Sequence, residues 1–416
     1  MFFAIYRWLV WPLLSIAFQV LGRFNSKITK GLELRAKVDG RAPWTKLLPP
    51  SPPTVWFHCA SGEFEYAKPV ITLLKAQLPQ VKVVVTFFSP TYADNIRKFS
   101  GVDWVVPLPW DSPHPLSEFL DSYRPLALVV ARTDVWPEMA RQVRLRGMKA
   151  ILFSATLTKG SGRTRGLGRW ASRATLDQLD EIFCVTDEDV EAFKALGLLH
   201  ARVSREGDTR YDQVLARLSS PKPLQEIPTP RPLFVCGSTW TEDEEILVPA
   251  IAQMPEICGV LVPHEPTPSH LEELEDRIRK AGLEPVRYST LKNAGELGSR
   301  TCVVVDQIGI LAELYLKGRW AFVGGSFRKT VHSVMEPLAA GCVTFVGPLH
   351  TNNREAVSFQ SLNVGAVSAV TCVRCSEELV TKLRAAPEAA GDAIREAVRA
   401  RTGSSQKIVD WIKGHL

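Results

Sequence analysis

The sequence has no dense basic stripe. Its 50 Lys and Arg against 44 Asp and Glu leave a net charge of only +6 over 416 residues. A nucleic-acid-binding surface concentrates cations on one face, so no nucleic-acid partner is expected. There is no second cysteine pair to accompany Cys372-x-x-Cys375, so the usual ligand spacing of structural zinc is missing and neither metal nor cofactor is expected. The other cysteines are scattered, several inside apolar runs (Cys184, Cys236, Cys302), as suits buried thiols in a reducing compartment. No GxGxxG fingerprint and no Walker loop occurs. Hydrophobic residues make up 45% and charged residues 23%, which excludes wholesale disorder.

Long apolar runs are also absent, with one exception. Residues 2–22 read FFAIYRWLVWPLLSIAFQVLG, and Arg7 is the lone charge. Crossing a bilayer takes about 20 mainly apolar residues, so the run is marginal for a full span. Two tryptophans and a tyrosine suit the membrane interface. Lys27, Lys30, Arg35, Lys37 and Arg41 follow, and such a flank stays cytoplasmic. No basic segment precedes the run and no small-x-small cleavage site follows it, which argues against a signal peptide. Residues 1–25 therefore read as a membrane anchor or interfacial helix.

From residue 54 onward, short β-branched-rich runs alternate with amphipathic stretches. The runs are VWFHCA (55–60), VKVVVTFF (81–88), LALVVA (126–131), KAILFSA (149–155) and EIFCVT (181–186). Unbroken apolar runs of this kind predict strands buried on both faces of a parallel sheet. Helices are predicted over 64–78 and 136–147. Prolines at 221, 223, 228, 230 and 232 interrupt the alternation and mark a linker over 216–231. The pattern resumes with LFVCGS (233–238), GVLVPH (259–264), CVVVD (302–306), WAFVGGS (320–326) and CVTFVGP (342–348). The expected class is α/β, with doubly wound parallel sheets: one domain over 26–215 and another over 232–404, followed by an amphipathic segment over 405–416. Ligands of such folds sit beyond the carboxyl ends of the strands.

Loops in those places carry the candidate chemistry. In HCASGEFE (58–65), Glu63 falls at a strand-to-helix turn, where it serves either as a general base or as a partner of the helix dipole. In ARTDVWPEM (131–139), Asp134 is a second carboxylate, with helix capping as its simpler role. In FVGGSFRKTVHSVMEPLAAG (322–341), a Gly-Gly-Ser turn before a predicted helix suits an anion. His332 and Glu336 are spaced to share one helical face there, where a carboxylate suits a ribose hydroxyl. Asn352 and Glu355 add polar groups from the next loop.

Taken in order, these motifs resemble the 3-deoxy-D-manno-octulosonic acid (Kdo) transferases that modify the lipid A precursor of Gram-negative bacteria. The resemblance is carried by WFHCASGEFE (56–65), FFSPTYAD (87–94), GDTRYDQV (207–214), GSTWTEDEEIL (237–247), VPHEP (262–266), QIGILAELY (307–315) and the 322–356 block. It implies a GT-B glycosyltransferase with two Rossmann-like domains facing an interdomain cleft. The N-terminal domain would receive the lipid acceptor, and the C-terminal domain would hold CMP-Kdo. Transfer would be inverting and metal-independent, at the cytoplasmic face of the inner membrane, with Glu63 as base. Ser61, Arg132 and Asp134 would lie on the acceptor side. Ser238, Thr239, His264, Gly324, Gly325, Ser326, Arg328, His332, Glu336, Asn352 and Glu355 would form the donor side. The final segment would pack back on the N-terminal domain.

This sequence departs from the family pattern in several places. Ser61 abuts Gly62, where the family carries a residue between them. The family's Glu-Thr-Glu-x-Trp-Pro is Arg132-Thr133-Asp134-Val135-Trp136-Pro137 here. The donor-side Pro-Arg-His is reduced to Pro263-His264, and His-Asn has become His332-Ser333. Arg328 and Lys329 are placed to supply the missing cation. Two other readings stay open from the sequence: a GT-B transferase with another sugar nucleotide or lipid acceptor, and a non-catalytic nucleotide- or lipid-binding relative.

Overall fold

The computed structural model describes residues 1–39, 52–293 and 295–416. Arg41 of the basic flank lies outside the described residues. The chain forms two compact units, Met1–Gln213 with Arg401–Leu416, and Val214–Ala400.

The strands of the first unit are β1 (Thr54–His58), β2 (Lys82–Phe87), β3 (Trp104–Pro107), β4 (Pro125–Ala131), β5 (Lys149–Ala155), β6 (Glu181–Cys184) and β7 (Arg202–Arg205). They form one sheet in the order β3-β2-β1-β4-β5-β6-β7, parallel throughout. The order reverses between β1 and β4, so the loops after these two strands open at the topological switch point. Alternate residues of each strand feed opposite cores. Trp56, Leu128 and Val130 face one, and Val55, Phe57 and Val129 the other.

The second unit repeats the plan with β8 (Leu233–Thr239), β9 (Cys258–Pro263), β10 (Glu284–Arg287), β11 (Thr301–Val304), β12 (Gly318–Val323), β13 (Val343–Val346) and β14 (Val370–Cys372). Their order is β10-β11-β9-β8-β12-β13-β14, again parallel, with the switch between β8 and β12.

The apolar runs of the sequence became the inner strands. The strands they did not reveal, β3, β7, β10 and β14, are the sheet edges. An edge strand is covered on fewer sides and needs no continuous apolar run. Thus β7 (RVSR) contains no buried residue, and neither does β10 (EPVR).

The predicted helices appear as Phe64–Gln77 and Pro137–Leu145. The helix expected after Gly-Gly-Ser does not start there. Residues 324–334 are a loop, and only Met335–Ala340 is helical. Gly325 turns at φ +85°. The amides of Arg328, Lys329 and Thr330 all point at its carbonyl, which closes a tight loop and spends the groups a helix would need. His332 and Glu336 therefore do not share a helical face.

The helix Ser404–Lys413 belongs to the first unit. Ile408, Val409 and Ile412 enter the core beside the helix Phe64–Gln77. Asp212 fixes its start, accepting from the Gly403 and Ser405 amides.

Residues Phe2–Gly22 form a helix long and apolar enough to cross a membrane by length and composition. Tyr6–Val10 within it is a π-turn. One face is docked on the first unit. The Tyr6 hydroxyl donates to buried Asp111 at 2.7 Å, and Arg7 makes a two-pronged pair with buried Glu138 at 2.7 and 2.5 Å. Trp11 packs against Trp110 and Trp136, and Phe18 against Phe88 and Trp110. The opposite face leaves Trp8, Leu13, Ile16 and Val20 exposed, and Phe24 just beyond the helix is exposed as well. Arg35 is not part of an exposed basic flank. It is buried, donates to the carbonyls of Leu108, Gly31 and Phe88, and lies over the Phe88 and Trp110 rings.

Candidate active site

In the first unit, Glu63 stands just past the end of β1 and opens the helix Phe64–Gln77. Its side chain does not cap that helix. It folds back so that one carboxylate oxygen accepts from the Ser61 amide at 2.8 Å. Among the described residues no cation lies within ion-pair distance of it. Glu65 is the opposite case, bound to Lys68 at 2.5 Å, Tyr92 at 3.3 Å and Gln213 at 2.8 Å. Of the two carboxylates at this turn, Glu63 alone keeps a half-exposed oxygen uncommitted to a side chain. The neighbouring Cys59 is no rival nucleophile. Burial, with the Glu63 charge as a second cause, pushes its thiol far up, and a thiol that stays protonated is inert.

The loop after β4 supplies Arg132 and Asp134. Arg132 takes a left-handed backbone at φ +71°. Its guanidinium lies 5.2 Å from the centroid of the Tyr66 ring and donates to the Tyr66 hydroxyl. Asp134 accepts from Trp136 Nε1 at 3.3 Å. His58 Nε2 lies 3.9 Å from the same carboxylate, too far for a hydrogen bond, so that buried nitrogen has no partner. His58 Nδ1 meets Thr86 Oγ1 at 2.9 Å. Burial alone raises the Asp134 carboxyl. The contributions of His58, Trp136 and Arg163 outweigh it and hold the group below its ordinary range.

In the second unit the candidate donor residues fall into two sets. Some have their polar groups already spent. The Thr239 hydroxyl is buried on Glu244 at 2.8 Å. Ser326 is fully buried, donating to Val323 O and accepting from the Gly347 amide. Asp243 binds the glycine turn internally, accepting from the amides of Gly325 at 2.7 Å, Phe327 at 3.2 Å and Trp240 at 3.0 Å. Burial pushes Asp243 up to about 6 against the pull of those amides. The turn is thus organised around its own carboxylate. Gly324 is glycine because of close packing, since a Cβ there would meet Ser238 O at 2.2 Å.

The rest lie outward of that turn. The His264 and His332 rings stack at 4.4 Å. Trp240 lies against His264 at 4.9 Å and donates from Nε1 to His332 Nε2 at 3.3 Å. That bond requires an unprotonated Nε2. Burial and then His264 hold His332 below its ordinary pKa. Arg328 lies over Trp240, 4.0 Å from the ring centroid. Asn353 reaches His332 O at 3.0 Å, while Asn352 contacts Thr330. Glu355 sits in the first turn of the helix Arg354–Gln360. Glu336 is paired with Arg217 at 2.8 Å, and buried Glu313 lies 3.9 Å from the same guanidinium. Burial raises the Glu336 carboxyl, Arg217 opposes it and Glu313 adds to it. Ser238 is strained at φ +54°.

The structure groups His264, Arg328 and His332, and sets Glu336 apart with Arg217. Sequence reading did not assign roles to Tyr66, Trp136, Arg217, Trp240 or Asp243. For the last two a signal existed in the order Trp-Thr-Glu-Asp after β8, a helix start with an acidic first turn.

Comparison with solved structures defines the class. UDP-GlcNAc 2-epimerase from Neisseria meningitidis aligns over 87% of this chain and 99% of its own, with a TM-score of 0.59 at 13% identity. Another UDP-N-acetylglucosamine 2-epimerase reaches a TM-score of 0.56 at 13% identity, over 87% of this chain and 95% of its own. At such identity the likeness shows the fold alone, the GT-B fold of paired Rossmann-like domains.

Sequence comparison narrows this class. Residues 34–213 match the family described as 3-deoxy-D-manno-octulosonic-acid transferase (kdotransferase). The 3-deoxy-D-manno-octulosonic acid transferase of Bordetella pertussis is 28% identical over 387 residues, covering 87% of each chain. Those of Haemophilus influenzae and Aquifex aeolicus are 24% and 28% identical, covering 88% and 79% of this chain and 88% and 84% of their own. The chain is thus similar to the Kdo transferases over residues 34–213 by the family match and over most of its length by alignment to these relatives.

Proposed function

We propose that the chain transfers Kdo from CMP-Kdo to the lipid A precursor lipid IVA, with inversion and without a metal ion, in lipopolysaccharide synthesis. The observation that carries the residue assignment is Glu63, a half-buried carboxylate past the central strand β1 whose one hydrogen-bond partner among the described residues is a backbone amide. It takes the proton of the acceptor hydroxyl as that oxygen bonds to the anomeric carbon of Kdo. The bond from that carbon to the phosphate of CMP breaks, and CMP leaves with the electron pair. Attack from the face opposite the leaving group inverts the centre.

The leaving phosphate needs positive potential as its charge develops. Arg328, His264 and the outward ring nitrogen of His332 supply it in this reading. Gly324, Gly325, Ser326 and Thr239 act as wall and scaffold, since their polar groups are engaged within the protein. Glu336 holds the ribose once Arg217 shares it, with Ser238, Asn352 and Glu355 as neighbouring contacts. Ser61, Arg132 and Asp134 serve the acceptor. The exposed apolar face of the Phe2–Gly22 helix rests on the cytoplasmic face of the inner membrane and brings the first unit to its lipid.

The test is purified protein with CMP-Kdo and lipid IVA. Wild type forms Kdo-lipid, while Glu63→Gln binds CMP and forms none. Wild-type turnover by Glu63→Gln would remove Glu63 from the mechanism. Turnover of another sugar nucleotide alone would change the donor.

A further inference from the structure

We propose that Arg132 and Arg163 form an oxyanion subsite of the first unit that takes a phosphate monoester of the acceptor beside the hydroxyl that reacts. This rests on the reading of Glu63 as base and of lipid IVA as acceptor.

The starting point is an unneutralised guanidinium. Arg132 is half-buried, and among the described residues no carboxylate lies within ion-pair distance of it. Its contacts are the ring and hydroxyl of Tyr66, which occupy one edge of a group with five N–H donors. Arg210 provides an internal comparison. It lies on the same ring, 4.6 Å from the centroid, but the buried Asp208 carboxylate answers its charge at 2.7 Å. Two guanidinium groups therefore meet at one phenol ring, and one of them has no counter-charge among the described residues.

The backbone holds Arg132 in place at a cost. An L-residue in the left-handed region is strained, and such strain gathers at functional positions. The Arg132 amide donates to Phe153 O at 2.8 Å, which pins the turn. The side chain is thereby sent over Tyr66, on the first turn of the helix that Glu63 opens. The Tyr66 amide bonds to Glu63 O at 3.0 Å. Tyr66 thus ties Arg132 to the helical turn that Glu63 opens.

Arg163 supplies a second cation. From the turn Gly162–Thr164 it donates to Thr133 O at 3.1 Å, next to Arg132 in sequence. Its charge is also among the causes that depress Asp134. Asp134 limits the subsite on one side and favours a ligand that carries its own dense negative charge. Planar guanidinium forks match the oxygens of a phosphate and bind it by paired, charge-assisted hydrogen bonds.

The experiment measures binding, so that it does not depend on turnover. Lipid IVA in detergent micelles, and lipid IVA pretreated with a phosphomonoesterase, are titrated into Glu63→Gln and into Glu63→Gln/Arg132→Gln, with circular dichroism to confirm folding. Phosphate removal should weaken binding to the single variant by roughly 10- to 100-fold. Arg132→Gln should cause a similar loss and make binding indifferent to the phosphatase. Arg132→Lys should recover part of it. Arg163→Ala, an exposed position, gives a smaller loss of the same kind and stands in if the Arg132 variant is unfolded. Equal binding of both lipids by Glu63→Gln overturns the subsite and leaves the base assignment standing. Losses that simply add overturn it as well. A loss of CMP-Kdo affinity alone in the Arg132 variant would assign the cation to the donor carboxylate and overturn the proposal. If lipid IVA binds none of the proteins, the acceptor reading falls too, and wild-type turnover reports that separately.

Discussion

Trp136 donates its indole N–H to Asp134 at 3.3 Å while its ring meets Trp11 edge-on at 6.4 Å. One side chain therefore joins the N-terminal helix to the Asp134 carboxylate. Trp136→Phe keeps the packing and deletes the donor. Asp134 should then titrate higher, closer to an ordinary carboxylate, as followed by carbon NMR. The stability loss should stay below about 1 kcal/mol, because the carboxylate is 35% exposed and solvent screens it. Since the folded-state pKa of Asp134 is depressed, the loss is present at neutral pH and fades as pH falls through that pKa. An unchanged Asp134 titration would mean that the indole does not act on the carboxylate.

Asp243 gives the opposite pH dependence. Its folded-state pKa is raised to about 6 by burial, so the native protein keeps a proton that the unfolded chain releases from about pH 4 upward. Stability derived from this group is present at low pH and is lost as pH rises through about 6. Denaturant unfolding of wild type and Asp243→Asn at pH 4.5, 5.5 and 6.5 tests this. The advantage of wild type over the variant should shrink as pH rises. Parallel curves for the two proteins would contradict it.

His332 is held below its ordinary pKa, first by burial and then by the stacked His264. A bound phosphate opposes that balance and favours a proton on Nε2, which must then give up the Trp240 bond. Binding of CMP near pH 6.5 should therefore take up protons, seen calorimetrically as a heat that changes with the ionisation enthalpy of the buffer. His332→Gln should bind CMP with markedly less uptake. Buffer-independent heats in wild type would place the phosphate elsewhere.

The C-terminal helix gives a purely structural test. Ile412 is fully buried in the first unit, 199 residues after that unit's earlier segment ends at Gln213. Ile412→Ala should cost about 2–5 kcal/mol, read as a lower denaturation midpoint. A loss below about 0.5 kcal/mol would mean that this helix is not part of the core.

The inner strands were legible because burial on both faces demands unbroken apolar runs such as Val83–Val85 and Val303–Val305. The edges were hidden because Arg202–Arg205 and Glu284–Arg287 are strands by position, with little burial to mark them. Glu63 was legible from its place after a strand. The commitments of its neighbours were not. Nothing in the spacing of Gly324–Ser326 shows that Asp243, more than 80 residues earlier, already occupies the amides of that turn. Local sequence reports which groups exist near a loop, while long-range hydrogen bonds decide which remain available to a ligand. For the same reason the helical reading of 322–341 gave way to a loop, closed by amides that converge on Gly325.

The return of residues 401–416 to the first unit also sets an order of events in synthesis. A chain leaving the ribosome presents the helix Phe64–Gln77 long before Ile408, Val409 and Ile412 exist to cover it. The second unit, continuous in sequence over Val214–Ala400, has all its parts first. The unit that begins the polypeptide is thus the last to be completed, and until then it displays apolar surface on the helix that begins next to Glu63.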